Sequence, residues 1–309
     1  MKVTVVGDTR WAHSAEADWL DGFRSEGWDV AGVHEVKASR SQIVGAARAS
    51  DLLVWVGANR THDRRVMLDA GEHCRTVGYH ADLMWGLAGR GPDWLQAPSF
   101  AAQTVFTADG GNADRWVDVG VEHRWLLPGV RERWLRTPGA ARSGMVCDLA
   151  FVGSDGSRYH REWPYRGELV SRLQAMCERN GWSFRNPGGL HRKVERSGRM
   201  NDFYRSARVT VGDSLCLDRE NARYWSDRVY EATGRGGLVI MPHIDVLSAQ
   251  AGSALPTYPW EGWDALEAQI GAYLADPVEN TAQRQRSRAW AADHTYRQRV
   301  RQLVAEVGL

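Results

Sequence analysis

The sequence predicts an α/β protein built as two domains in tandem, each a parallel sheet flanked by helices, with a helical tail. Three observations carry this expectation. Short β-branched apolar runs alternate with segments of helical period from the N-terminus onward. The alternation lapses over Leu127–Met145, where Pro128, Gly129, Pro138, Gly139 and Gly144 break any periodicity, and then restarts. Most of Val278–Val307 is helical in pattern, with a break near Asp293. At 309 residues the chain is long for a single hydrophobic core. The expected division is an N-terminal domain over 1–135, a C-terminal domain over 146–285, and a terminal helix over 286–309 returning to the first domain.

Taken in order, Lys2–Val6 is a β-branched run ending at Gly7, followed by a helix at Ala15–Ser25 and a strand at Trp28–Val33. A helix at Ser41–Ala49 precedes Leu52–Val56, apolar at every position, as a strand buried on both faces must be. A helix near Asp63–His73 and strands at Thr76–His80, Thr104–Thr107 and His123–Leu126 complete the first domain. The second opens with a strand at Asp148–Val152 running into Gly153-Ser154, then an amphipathic helix at Arg166–Asn180. Strands at Trp182–Arg185, Arg208–Gly212 and Gly237–Met241 follow, with helices near Ser226–Thr233 and Asp264–Leu274.

Composition narrows the function classes. Charged residues make up 25% and the net charge is +1, so no global field draws the chain to nucleic acid or acidic membranes. No apolar run approaches the roughly 20 residues of a membrane helix, and MKVTVVGDTR reads as a first strand rather than a signal peptide. Cys74, Cys147, Cys177 and Cys216 form no C-x-x-C pair, which points to free thiols and a cytoplasmic setting. Basic residues are nearly all arginine, with lysine only at positions 2, 37 and 193, so a lone arginine carries little information. G-x-G-x-x-G follows no predicted strand, and G-x-x-x-x-G-K-[ST], G-x-S-x-G, H-E-x-x-H and D-x-D are absent. These absences disfavour dehydrogenases, kinases, zinc hydrolases and metal-dependent transferases, and give no motif for a bound metal.

Four constellations remain. In SDRVYEATGRGGLVI, Ser226 can cap a helix whose first turns carry Arg228 and Glu231. The pair reads either as a surface i,i+3 salt bridge or as an arginine for a pyrophosphate beside a carboxylate for ribose hydroxyls. In DLAFVGSDGSRYHREWPYRGEL, a strand ends at Gly153, and Ser154, Arg158, Arg161 and Arg166 lead toward a helix in the manner of a phosphate cradle. Gly7, Asp8, Arg10 and His13 follow the first strand, while His80 and Asp82 lie at the fourth. His13 or Asp82 is the candidate base or orienter of an acceptor hydroxyl. Last, HTYRQRVRQLV sets Val300, Leu303 and Val307 on an apolar face opposite Arg297, Arg299 and Arg301.

Together these blocks resemble the GT-B glycosyltransferases of the spore-maturation (CgeB-like) type, related to the group-one transferases. FTADGGNADRWVDVGV at Phe106–Val121 looks like the end of that family's N-terminal domain, and DLAFVGS at Asp148–Ser154 like the first strand of its C-terminal one. FYRSARVTVG at Phe203–Gly212 is similar to its helix–strand step before the donor site. SDRVYEATGRGGLVI matches its S-x-R-x-x-E-x-x-x-x-G-G pattern, and HTYRQRV its H-T-Y-x-x-R ending. The resemblance covers the chain from about Phe106 onward.

The resemblance implies two Rossmann-like domains facing a central cleft, with the C-terminal helix packing across the domains. It implies metal-independent transfer of a hexose from a nucleotide-diphosphate sugar, UDP-linked by expectation, with retention and with no cofactor beyond that co-substrate. By position, Glu231 would hold the donor ribose and Arg228 the diphosphate, with Gly153, Ser154 and Arg166 lining the phosphate side. The relatives often carry another glutamate two turns before the one matching Glu231, and Arg223 stands there in this chain. The acceptor is left open among a small molecule, a glycan, a protein and a modified base in DNA. A nucleotide-sugar epimerase and a non-catalytic binding protein are the alternatives.

Overall fold

The computed structural model describes the whole chain except residues 13, 58, 60, 88–91, 138, 155–161, 190–193 and 220–221. It divides into two compact units, Met1–Glu132 with Thr295–Leu309, and Arg133–His294. The chain passes into the first unit for the second time at Thr295, nine residues later than the expected helix start at 286.

In the first unit, β1 (Lys2–Gly7), β2 (Asp29–His34), β3 (Leu52–Val56), β4 (Arg75–His80), β5 (Thr104–Thr107) and β6 (His123–Trp125) form one parallel sheet in the order β2-β1-β3-β4-β5-β6. The alternation of a strand places its neighbours on opposite faces. Leu52, Val54 and Val56 therefore join one core, with Val3, Val5, Trp19 and Phe23. Leu53 and Trp55 join the other, with Ile43, Ala47, Val66 and Met67. Helices α1 (Ala15–Ser25), α2 (Arg40–Arg48), α3 (Arg65–Gly71) and α4 (Ala113–Asp118) supply the covering residues. Ser14 caps α1, and Ser39 with Gln42 forms a capping box on α2.

The run Leu127–Met145, expected as an irregular linker, contains α5 (Glu132–Arg136) and a single 3-10 turn at Ser143–Met145. The second unit builds β7 (Cys147–Phe151), β8 (Phe184–Arg185), β9 (Ala207–Val211), β10 (Val239–Pro242) and β11 (Thr257–Tyr258) into a parallel sheet ordered β11-β10-β9-β7-β8. Its helices are α6 (Tyr165–Asn180), α7 (Gly198–Ser206), α8 (Arg228–Gly234), α9 (Asp245–Ala251), α10 (Trp263–Ala275) and α11 (Pro277–Ala292).

The expected break near Asp293 is real: α11 ends at Ala292 and α12 (Tyr296–Glu306) begins after the Thr295 cap. Helix α12 packs within the first unit against α1, where the Tyr296 ring meets Trp19 edge-on at 5.6 Å. Gly22 makes this possible, because a Cβ there would lie 2.9 Å from the Tyr296 carbonyl oxygen. Val300, Leu303 and Val307 are buried, as the apolar face requires. The opposite, solvated arginine face does not form as expected. Arg299 is buried and donates Nε–H to the Pro128 carbonyl at 3.1 Å, while Arg297 and Arg301 pair with Glu26. No helix among the described residues is long and apolar enough to cross a membrane.

Candidate functional site

Parallel sheets bind ligands at the carboxyl ends of their strands, where the strand order reverses. In the second unit the reversal lies between β7 and β9, since β8 sits outside β7 and β10 outside β9. A cleft of about 240 Å³ opens among the loops there, lined among others by Gly153, Ser154, Gly188, Arg196, Arg228 and Glu231. The loops after β7 and β8 meet backbone to backbone: a Cβ on Gly188 would stand 2.5 Å from the Gly153 carbonyl oxygen. Any larger residue at 188 would push these loops apart.

Helix α8 carries two of the expected residues, and the surface i,i+3 salt bridge between them does not form. Arg228 and Glu231 do not pair with each other. Arg228 donates Nη1–H to Ser226 Oγ at 2.7 Å, and its backbone N–H reaches the same oxygen at 3.3 Å. Ser226 therefore braces Arg228, while Asp227 occupies the cap position without a side-chain cap bond. Glu231 is 9% exposed and ion-paired twice, to Arg196 at 3.0 Å and to Arg235 at 3.3 Å. Burial raises its carboxyl, but the Arg196 and Arg235 charges outweigh that and hold it below its ordinary value. The same balance brings Asp227 down to about 2, burial being outweighed by Arg196 and Arg228. Both groups are carboxylates at neutral pH, and Arg196 Nη2 bridges them, 2.8 Å from Asp227.

Arg166, at the start of α6, is buried and committed to Asp213, with Nε 2.6 Å from Oδ2. Its Nη1 reaches Ser154 Oγ at 3.4 Å, so it borders the cleft through Ser154 rather than lining it. Asp213 follows β9 as Gly153 follows β7, and it also accepts from the Trp163 indole at 3.2 Å. Ser214 Oγ accepts the Ser226 N–H at 3.1 Å, which ties the β9 loop to the start of α8. Gly153, Ser154, Arg228 and Glu231 are thus brought into one cleft, with Ser226 and Arg166 behind it. Arg158 and Arg161 lie outside the described residues, as does His13. Arg223 is exposed.

Sequence reasoning missed Arg196, Asp227, Asp213 and Gly188. Only Asp213 had a signal, its place just after a strand. Arg196 stands 35 residues before Glu231, and nothing local announces the pairing.

In the first unit the reversal lies between β1 and β3. Asp8 follows β1 and forms a two-pronged bond with Arg10, at 2.8 and 2.6 Å. That bond, slightly offset by burial, holds Asp8 at about 2. His34 closes β2; its Nδ1 accepts the Val36 N–H at 3.3 Å, leaving Nε2 protonated and 3.8 Å from Asp8. Buried Glu35 accepts from Trp55 Nε1 at 3.2 Å, and burial raises its carboxyl. Asp82 is exposed just past β4. His80 is buried, its ring stacked on Phe100 at 4.1 Å, so it does not present itself to a ligand as the sequence suggested. Among the described residues, no group of three or more His, Cys, Asp or Glu is placed to hold a metal ion.

Known proteins place this geometry in a family. Residues 131–305 match the family model described as glycosyl transferase-like. No curated protein matches in sequence. Among solved structures, the chain is similar to an alpha-glucosyltransferase in complex with UDP-glucose and DNA containing an abasic site, with TM-score 0.71, 9% identity and all of both chains covered. It is similar to sucrose-phosphate synthase from Thermosynechococcus elongatus, with TM-score 0.57, 11% identity and 99% of each chain covered. It is also similar to UDP-GlcNAc 2-epimerase from Neisseria meningitidis bound to UDP-GlcNAc, with TM-score 0.52, 10% identity and 99% of each chain covered. At these identities the likeness speaks to fold. The family match spans more than half of the chain, and with two parallel α/β sheets of six and five strands the protein belongs to the glycosyl transferase-like family, with the GT-B fold.

Proposed function

We propose that the protein transfers a hexose from a UDP-sugar to an acceptor hydroxyl, with retention at the anomeric carbon and without help from a divalent metal. The observation that carries this reading is the convergence of Gly153, Ser154, Arg228 and Glu231 on the cleft at the β7/β9 reversal. Glu231, ionised and nearly buried, is suited to accept hydrogen bonds from paired ribose hydroxyls. Arg228, braced by Ser226, offers its remaining N–H donors to the diphosphate. Charge developing on the leaving UDP would be met by Arg228 and Arg196, fixed in place before reaction. Ser154 and the Gly153 backbone would line the phosphate side, with Arg166 holding Ser154. UDP as the nucleotide rests on the family and on solved structures of the same fold that hold UDP-sugars.

The acceptor belongs to the first unit in this reading, near Asp8 and His34 at the end of β1 and β2, with His13 and Asp82 kept as the catalytic candidates of the sequence. A small molecule, a glycan, a protein and a modified DNA base remain the acceptor classes. The DNA class loses its motive in the tail, because Arg301 pairs with Glu26 and Arg297 with Glu26 and Glu132. The free thiols agree with a cytoplasmic enzyme. Three of them, Cys147, Cys177 and Cys216, are buried, which raises each to about 12 and keeps it unreactive.

Calorimetry with UDP and UDP-glucose tests the reading. Binding by the wild type, lost in Arg228→Ala, is expected; UDP affinity unchanged in both Arg228→Ala and Glu231→Gln would sink it. Product analysis without acceptor separates transfer from epimerisation: a new UDP-sugar epimer would favour the latter.

A further inference from the structure

We propose that the second unit holds a second oxyanion site, apart from the donor cleft, built to take a small phosphate-bearing ligand. The site is a cavity of about 260 Å³ whose wall carries four arginines, Arg205, Arg235, Arg284 and Arg288, with Gly236 and Thr281. Among the described residues no carboxylate lines it, and none of its lining residues lines the donor cleft.

The four guanidinium groups are not equivalent. Arg284, 7% exposed on α11, covers the C-terminal carbonyls of two helices: Nη1 donates to Tyr204 at 3.1 Å and to Gly236 at 2.9 Å, and Nη2 donates to Ala207 and, at 2.8 Å, to Arg208. Its Nε is taken by Asn280 Oδ1 at 2.8 Å. This group is structural, a cation on the negative ends of α7 and α8. It is nevertheless a buried charge with no carboxylate in contact. Burial and then Arg205 lower it to about 10, so it stays charged at neutral pH.

Capping does not account for the other three. Arg235 is 2% exposed and stacks on Trp134 at 4.4 Å; its Nη groups are engaged, but its Nε–H is buried with no partner. A buried donor left unpaired costs about 1–3 kcal/mol. Arg288 gives only Nη2, to the Leu135 carbonyl. Arg205, at the end of α7, is exposed and makes no hydrogen bond or ion pair among the described residues. The one carboxylate that touches any of the four is Glu231, on Arg235. Asp202, beside Gly139 at the rim, is spent on Arg142 and the Ala140 N–H.

The excess positive charge of this wall asks for an anion with several oxygens. The concave wall, with two of its arginines buried, favours a free phosphate group over one carried on a nucleic-acid backbone, which is met by exposed ridges. A phosphomonoester or pyrophosphate fits the volume and charge.

The test is calorimetry of the full chain with inorganic pyrophosphate at low salt. Pyrophosphate is expected to bind, and the Arg205→Ala/Arg288→Ala double variant to lose at least about tenfold in affinity for that site. Arg228→Ala, in the donor cleft, should leave the same site within about twofold. Arg205→Ala alone has no bond to lose, so it serves if the double variant does not fold, and it should weaken binding in the same direction. No pyrophosphate binding by the wild type, or binding indifferent to Arg205 and Arg288 and removed by Arg228→Ala, overturns the proposal. A short DNA duplex bound through Arg205 and Arg288, with pyrophosphate not bound, overturns the assignment to a small ligand.

Discussion

The two sheets reverse strand order in the same way, yet the described groups at the two reversal points differ: carboxylates gather at the first, and arginines paired with carboxylates or hydroxyls at the second. After β1 and β2 come Asp8, Glu35 and, folding back from α1, Glu16, whose Oε1 accepts the Asp8 N–H at 3.2 Å. Around β7 and β9 stand Arg166, Arg196 and Arg228, each set against an acidic or hydroxyl partner. In the proposed function, one reversal point would take the hydroxyls of an acceptor and the other a diphosphate. A shared topology fixes where a ligand sits, while side chains on the loops decide which ligand it is.

The sharpest way to break this comparison is to remove charge from each side in turn. Arg228→Ala should lower UDP affinity by about 100-fold, the ~3 kcal/mol of a charge-assisted contact in a partly enclosed cleft. Asp8→Asn should leave UDP affinity unchanged while altering turnover. Equal loss of UDP binding in the two variants, read by calorimetry, would erase the division of labour.

A second expectation concerns stability. Glu231→Ala removes the carboxylate that Arg196 and Arg235 share, leaving Arg196 with Asp227 alone and Arg235 with no carboxylate. Chemical denaturation should show a loss of about 3–5 kcal/mol, against a smaller loss in Glu231→Gln. Equal stability of the two variants would mean that the charge is unimportant there. Next in size, Gly188→Ala should cost about 1–3 kcal/mol and weaken UDP binding, by forcing the β7 and β8 loops apart.

A last effect is in pH. His123, packed on Trp116 at 5.0 Å and bonded to Thr107, is lowered to about 4, chiefly by burial. The unfolded chain takes up a proton at His123 first, so the first unit should lose stability as pH falls from about 6.5 to 4. Asp227, held at about 2, works over a lower window: its contribution is complete above its unfolded value and is lost as pH falls from about 4 toward 2. Melting of wild type against His123→Gln and Asp227→Asn should separate the two windows. Coincident pH profiles for both variants would contradict this.

The strands were legible because short runs apolar at every position, such as LLVWV, fit a strand buried on both faces of a sheet. Leu52–Val56 and Thr104–Thr107 fall where the sequence puts them, and the other long strands within a residue or two. Two-residue β11 left no pattern to read, and β8 was recognised only as part of a longer run. The cleft was legible in part. Gly153 and Glu231 could be placed because a strand end and a helix start are local features. The pairing of Glu231 with Arg196, and of Arg166 with Asp213, is decided by chain segments brought together in the folded unit. No spacing rule reaches so far, and an arginine-rich composition hides the few that matter.

The return of the chain to its first unit has a consequence for how the molecule is assembled. Val130 and Thr295 form a parallel bridge, with the Tyr296 N–H 3.0 Å from the Val130 carbonyl. The exit and re-entry strands of the first unit therefore lie side by side, and Arg133–His294 is a guest within a host. Joining Glu132 directly to Thr295 would preserve all six strands of the host together with α12. The guest, for its part, begins and ends at neighbouring junctions and carries the whole cleft. A chain of this layout lets the inserted unit be exchanged as a cassette while the host unit keeps its sheet.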